Sequence, residues 1–142
     1  MLKQLKIDPV NRILDANLNR AKEGLRVCEE VIRFVLEDKA LAADFKALRH
    51  KIDFAAKSIS SRQLLLIARN SSQDVGRKNQ SHEMKRSSVK DIFLANIQRA
   101  KESVRVLEEF SKLKNPKPAA AFKEIRYNIY IIEKKAIARL NR

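Results

Sequence analysis

Apolar residues recur at spacings of three and four along most of this chain, a pattern typical of helices that bury one face. The stripes predict one helix over about residues 8–38 and a second over about 40–70. A third is predicted from Ser88 to the proline-containing segment 115–118, and a fourth includes residues 122–140. The pattern therefore predicts an all-α fold.

Capping residues mark the helix starts. Asp8 precedes Pro9, which is the arrangement of an N-cap followed by proline in the first turn. Ser88 is followed three residues later by Asp91, a variant of the capping box. Between the second and third helices, residues 71–86 are predicted to form a polar loop.

Two parts of the chain repeat each other. Residues 13–31 match residues 92–110 at eleven of nineteen positions, at a constant shift of 79. Residues 42–49 match residues 119–126 at a shift of 77. Because the match extends over a pair of helices, it indicates internal duplication of a helical hairpin.

Together these patterns predict an internally duplicated antiparallel four-helix bundle, made of two αα-hairpins related by an approximate twofold axis. A single domain is predicted over residues 1–142, with repeat one at about 8–70, the loop at 71–86 and repeat two at about 87–141. Long helices in small bundles often associate, so a homodimer is a further expectation.

The net charge of +14 favours anionic partners, which include nucleic acid, acidic lipid and phosphorylated metabolites. No apolar run approaches the ~18 residues of a membrane span, so no membrane partner is expected. The only cysteine, Cys28, has no partner for an internal disulfide, which favours a reducing cytoplasm. The sequence contains neither a glycine-rich phosphate loop nor a Cys/His cluster for zinc.

Polar residues are retained between the two copies together with the core. The retained pairs are Asn17 and Asn96, Arg20 and Arg99, Glu23 and Glu102, Arg26 and Arg105, and Glu30 and Glu109. One interpretation is intrahelical ion pairing, as for Arg26 with Glu29 or Glu30. The other, which suits Arg20, is an anion site in which guanidinium groups grip phosphate. The two copies can face one shared anion site or form two separate sites.

Other features of the first half have two interpretations each. In the loop, Arg69 and Arg77 could meet phosphates and Asp74 could help to hold Mg²⁺, or the loop is only a solvated connection. Gly24 is unusual inside a helix, and its counterpart Ser103 is also small. Close approach of a neighbouring helix is favoured over space for a ligand as the reason for these small residues.

The repeated motif reads Ala16-Asn17-x-x-Arg20-Ala21-x-Glu23-Gly24-Leu25-Arg26-Val27-x-Glu29-Glu30. It resembles the helical domain found ahead of thiamin-phosphate synthase in some bacterial fusion proteins. The other similar pieces are Leu48-Arg49, Asp74-Val75-Gly76, residues 95–109, and Phe122-Lys123-x-Ile125-Arg126-Tyr127. The resemblance covers about residues 12–133, and the family is named for a monofunctional hydroxymethylpyrimidine-phosphate kinase.

The resemblance implies transfer of the γ-phosphoryl group of ATP, with Mg²⁺, to hydroxymethylpyrimidine phosphate, and a functional link to thiamin-phosphate synthase. The catalytic candidates for that reaction are Arg20, Glu23, Arg99 and Glu102. The candidates for binding substrate and phosphate are Asn17, Asn96, Arg49, Arg126, Arg69 and Arg77. The candidate metal ligands are Asp74, Glu30 and Glu109.

Two other functions stay open. A basic helical module that binds nucleic acid would explain the charge and the basic cluster from Arg77-Lys78 to Lys90, although aromatic residues for base stacking are sparse. A non-catalytic protein that binds pyrimidine phosphate, or docks onto thiamin-phosphate synthase, would be stabilised by the ligand without turning it over.

Overall fold

The computed structural model describes residues 8–78 and 85–142, and within them the chain forms helices and no strand. The helices are α1 (Pro9–Phe34), α2 (Lys39–Lys57), α3 (Arg62–Ala68), α4 (Val89–Ser111) and α5 (Pro116–Leu140). A short 3-10 helix, Ser71–Gln73, follows α3. The predicted all-α class is confirmed, while residues 79–84 of the predicted loop lie outside the described residues.

Helices α1, α2, α5 and α4 form a ring in which each packs against its two neighbours. Contacts between adjacent helices of the ring show that these neighbours run antiparallel. The C-terminal part of α1 meets the start of α4, where Cys28 Sγ donates to the carbonyl of Phe93 at 3.6 Å. The start of α2 meets the end of α5, where Arg139 Nη1 donates to Asp38 Oδ2 at 2.6 Å. The antiparallel four-helix bundle is thus confirmed, with α3 packed beside α1 as an addition.

The core consists of the apolar stripes that the sequence predicts. Its largest fully buried side chains include Phe45, Phe93 and Phe122. Phe45 and Phe93 meet edge to face, with ring centroids 6.1 Å apart. Cys28 is fully buried, and burial raises the pKa of its thiol, so this cysteine is a core residue rather than a reactive one.

The first predicted helix was wrong at its C-terminal end. Helix α1 ends at Phe34 rather than near Asp38. Glu37 has a φ of 52°, a left-handed conformation that turns the chain back. Asp38 belongs to the next helix as its N-cap, because its Oδ1 accepts from the N–H of Leu41 at 3.0 Å.

The second predicted helix, over residues 40–70, was also wrong, because it is divided into α2 and α3. Ser58 ends α2, and its hydroxyl donates to the carbonyl of Ala55 at 2.8 Å. Ser61 then begins α3 as an N-cap that accepts from the N–H of Leu64 at 3.1 Å. The break lets α3 leave the line of α2 and pack on α1.

The other predicted caps are confirmed. Asp8 Oδ1 accepts from the N–H of Val10 at 2.9 Å, and Ser88 Oγ accepts from the N–H of Asp91 at 3.1 Å. Asn115 caps α5, which begins with Pro116. None of the helices in the described ranges combines the length and the apolar character that crossing a membrane requires.

Candidate functional site

A groove of about 870 Å³ runs along the N-terminal half of α1, between that helix and the segment that follows α3. Arg99 reaches it from α4. The sequence-predicted site residues in its wall are Asn17, Arg20, Glu23, Arg69, Asp74, Arg77 and Arg99. Arg12 also lines the groove, and we call this space the arginine groove.

Helix α1 presents Asn17, Arg20 and Glu23 to the arginine groove because residues three apart lie on one side of a helix. Asn17 is buried, and its Nδ2 donates to the carbonyl of Ile13, one turn earlier, at 2.9 Å. That bond fixes the amide against the helix, whereas Arg20 and Glu23 are exposed. The two charged side chains can therefore meet a ligand.

The close contact between α1 and α4 at Gly24 brings Arg99 to the same groove. A Cβ built on Gly24 would lie 2.8 Å from the carbonyl oxygen of Asn96 and 3.4 Å from the Cβ of Ala100. Only a residue without a side chain fits this distance to a backbone atom. Close helix approach, the favoured reason for this glycine, is confirmed.

Three arginines of the groove have side chains with neither an ion pair nor a hydrogen bond in the part of the chain that the structure describes: Arg20, Arg77 and Arg99. All three are exposed. Guanidinium groups without an internal acceptor are available to bind phosphate through paired hydrogen bonds. They come from α1, the segment after α3, and α4, so only folding brings them to one groove.

Arg69 is held in place by Asp15, a residue that the sequence reasoning missed. Arg69 Nε donates to Asp15 Oδ2 and Nη2 to Asp15 Oδ1, both at 2.8 Å. These hydrogen bonds raise the pKa of Arg69. They do not use its Nη1, which makes no hydrogen bond with Asp15. A signal was present in the sequence, because the residue equivalent to Asp15 in the second copy is Leu94. A buried acid at a position that is apolar in the other copy indicates a local partner.

Further contacts shape the segment after α3. Arg12 Nη2 donates to the carbonyl of Asn70 at 2.9 Å, which ties the segment to α1. Asp74 Oδ1 accepts from the N–H of Gly76 at 2.8 Å, so one carboxylate oxygen is used in the turn. Glu23 and Asp74 both line the groove. Mg²⁺ in phosphoryl-transfer sites usually takes one or two carboxylates together with phosphate oxygens, and these are the two groove carboxylates that Arg69 does not hold.

Arg49 and Arg126 lie elsewhere, in ion pairs that join the helices of each hairpin. Arg49 Nη2 is 2.8 Å from Glu29 Oε1, and Arg126 Nε is 3.0 Å from Glu108 Oε2. These arginine side chains are only 17% and 14% exposed. The two pairs occupy equivalent positions in the repeats, and the structure does not bring either arginine to the groove.

The remaining candidates also lie outside the groove wall. Glu30 pairs with Arg26 at 2.9 Å and Glu109 with Arg105 at 3.2 Å, which confirms the intrahelical ion-pair interpretation for these residues. Asn96 donates to the carbonyl of its own helix one turn earlier, at 2.8 Å, and Glu102 accepts from Gln98 at 3.1 Å. Within the described residues, no three His, Cys, Asp or Glu side chains group as metal ligands, so Glu30, Glu109 and Asp74 are not brought together.

The chain is similar to proteins of known family. The model of the ThiD2 family matches residues 12–135. Relatives named thiamine-phosphate synthase include one from Synechocystis, 41% identical over 133 residues, which are 93% of this chain and 37% of the relative. Another, from Nostoc sp., is 44% identical over 126 residues, which are 87% of this chain and 34% of the relative.

This chain thus spans only about a third of the length of the curated relatives that it matches. No solved structure matches it. The matched region includes the candidate residues of the groove, since all of them lie between Arg12 and Arg99. The similarity therefore concerns the helical bundle and the arginine groove.

Proposed function

The chain belongs to the ThiD2 family, and on that premise we propose that it transfers the γ-phosphoryl group of ATP to hydroxymethylpyrimidine phosphate. The name of the relatives, thiamine-phosphate synthase, supports a role in thiamin biosynthesis. The observation that carries the proposal is the arginine groove. Arg20, Arg77 and Arg99 all line it, without carboxylate partners among the described residues.

Charge neutralisation is the main task of such a site, because donor and acceptor both carry phosphates. Arg20, Arg77 and Arg99 would hold the crowded phosphate oxygens through charge-assisted hydrogen bonds. Arg69 would add its Nη1, since Asp15 uses only Nε and Nη2. Asp15 is a positioning residue in this scheme, because it fixes Arg69 without touching substrate.

The acceptor needs little activation. Its phosphate oxygen is already ionised near neutral pH, so it can attack the γ-phosphorus without a strong general base. The new P–O bond forms as the bond between the γ-phosphorus and the bridging oxygen breaks, and ADP leaves with the electron pair. Glu23 and Asp74 would hold Mg²⁺, which supplies further neutralisation of phosphate charge when bound.

This arrangement also explains selection for a phosphorylated acceptor. An arginine that binds the acceptor phosphate has no partner when the unphosphorylated alcohol enters. The alcohol also lacks an ionised oxygen for attack. Both effects disfavour free hydroxymethylpyrimidine as an acceptor, and neither requires a separate specificity loop.

The test is ADP release with Mg²⁺-ATP and either hydroxymethylpyrimidine phosphate or free hydroxymethylpyrimidine. We expect turnover with the phosphate only. Arg20→Ala and Arg99→Ala should each lower kcat/KM about 100-fold or more, the scale for loss of one charge-stabilising donor. Arg33→Ala is the matched control, because Arg33 is an exposed arginine of α1 outside the groove.

Thermal unfolding of each variant should match the wild type, which separates lost chemistry from lost folding. Wild-type kinetics in both groove variants would remove the groove from the reaction. Ligand binding by folded wild-type protein without turnover would favour the non-catalytic binding function instead.

A further inference from the structure

A second cavity of about 550 Å³ lies beside the arginine groove, between α1, the end of α2, and α3. Asp15, Asn19 and Arg69 line both spaces, and the other lining residues differ. The bidentate Asp15–Arg69 pair therefore forms a wall with the groove on one side and this cavity on the other. We call the second space the side cavity.

The side cavity differs from the groove in how its charges are arranged. Lys22 Nζ lies 2.9 Å from Asp53 Oδ1, and Arg69 is paired with Asp15, so these four charges cancel in pairs. The groove holds four arginines without a carboxylate partner in the described ranges, whereas the side cavity has one such arginine, Arg62, and one such lysine, Lys57. Phosphates should therefore prefer the groove to the side cavity.

The remaining wall of the side cavity combines apolar and neutral polar groups with the exposed side chains of Lys57 and Arg62. Leu18 and Leu65 are buried, and Ala56 and Leu66 extend the apolar surface. Asn19 and Ser60 add an amide and a hydroxyl. A cavity that combines an apolar wall with polar groups suits a small, flat ring, and its volume lies in the range of about 300–1,000 Å³ typical of small-molecule sites.

We propose that the side cavity binds the nitrogen heterocycle of the acceptor, while the acceptor phosphate reaches past Arg69 into the arginine groove. The inference rests on the proposed function for the identity of the ring as a pyrimidine. Arg69 sits where ring and phosphate meet, and its Nη1 is the guanidinium nitrogen that Asp15 does not use. The same ion pair thus positions the phosphate and borders the ring.

Two leucines of α3 provide a matched pair for the test. Leu66 is 56% exposed and lines the side cavity, whereas Leu64 is 53% exposed and lines neither space. Leu66→Trp should narrow the cavity and raise the KM for hydroxymethylpyrimidine phosphate about ten-fold, the scale of discrimination by an apolar pocket. The KM for ATP should stay within about two-fold, and Leu64→Trp should behave as the wild type.

Leu66→Ala removes apolar wall instead of adding bulk, and it should raise the same KM about five-fold. Calorimetric binding of hydroxymethylpyrimidine phosphate gives a second readout that does not need turnover. Unchanged KM and affinity in both Leu66 variants, or a rise in the KM for ATP instead, would overturn the side cavity as the ring site. Failure of the proposed function looks different, because the wild-type protein itself would then not turn over the pyrimidine phosphate, whether or not it binds it.

Discussion

Glu108 is buried between two arginines, with Arg105 at 3.2 Å and Arg126 at 3.0 Å. Burial alone would raise the pKa of this carboxyl, because the charged form loses hydration. Hydrogen bonds from Arg126 and Arg105 outweigh that effect, so the pKa of Glu108 lies below its usual range. A carboxyl with a lowered pKa in the folded state stabilises the fold above the pKa of the unfolded chain.

That shift gives a pH dependence that Glu108→Gln should abolish. The contribution of Glu108 is present above the pKa of a glutamate in the unfolded chain, about 4.3, and is lost as the pH falls through the lowered folded-state pKa. We expect the difference in unfolding free energy between wild type and variant, measured in urea, to shrink between pH 7 and pH 3. Glu109→Gln, at an exposed position on the same helix, is the control. If the difference in unfolding free energy between wild type and Glu108→Gln stays constant over this pH range, the pH dependence does not come from Glu108.

Single residues also show where the sequence was insufficient. Arg20 and Arg126 are both arginines retained at repeat-related positions, so the sequence assigned phosphate to both. Their difference depends on tertiary neighbours: Glu108 faces Arg126 across the α4–α5 contact, whereas no carboxylate of the described chain reaches Arg20. Periodicity places a residue on a face of its own helix, but it does not say which residue of the next helix lies opposite.

At the scale of elements, the α1–α4 contact depends on the absence of a side chain at Gly24. Gly24→Ala gains about 1 kcal/mol of helix propensity, but its Cβ would lie 2.8 Å from a backbone oxygen of α4, and overpacking costs about 1–3 kcal/mol. We expect net destabilisation of about 1 kcal/mol by urea unfolding. Ser103→Ala, at the repeat-related position, is the comparison, and it should change the stability less. A Gly24→Ala protein more stable than the wild type would contradict this, because α1 and α4 would then move apart without a cost in free energy.

Helix boundaries show a second limit of what the sequence can predict. Ile59 and Leu65 continue the apolar periodicity across the break between α2 and α3, and no glycine or proline marks it. The break is made by two serines, Ser58 and Ser61, whose hydroxyls bond backbone groups near the helix ends. Serine is tolerated within helices as well as at their caps, so only the folded chain distinguishes the two uses. The short helix α3 was missed for this reason, and one wall of the side cavity with it.

At the scale of the whole molecule, the bundle could be predicted because its core repeats at regular spacing on every long helix. The buried stripes of α1 and α4 correspond at the same shift of 79 that relates their sequences, as for Leu14 with Phe93 and Leu25 with Val104. The common origin of the halves remains an interpretation of that sequence match. The surroundings of the groove follow no such repeat, because Asp15 and the segment after α3 have no counterpart in the second copy.

This asymmetry bears on whether the duplicated arginines form one site or two. Arg20 of the first copy and Arg99 of the second both line the same groove, and Arg77 lies in a segment that only the first copy has. We therefore expect one nucleotide site per chain, measured as a stoichiometry of one Mg²⁺-ADP by calorimetry. Arg77→Ala should weaken this binding about ten-fold, the scale of one charge-assisted contact to phosphate. Arg33→Ala, outside the groove, should not, and two equivalents of similar affinity would instead mean that each copy forms its own site.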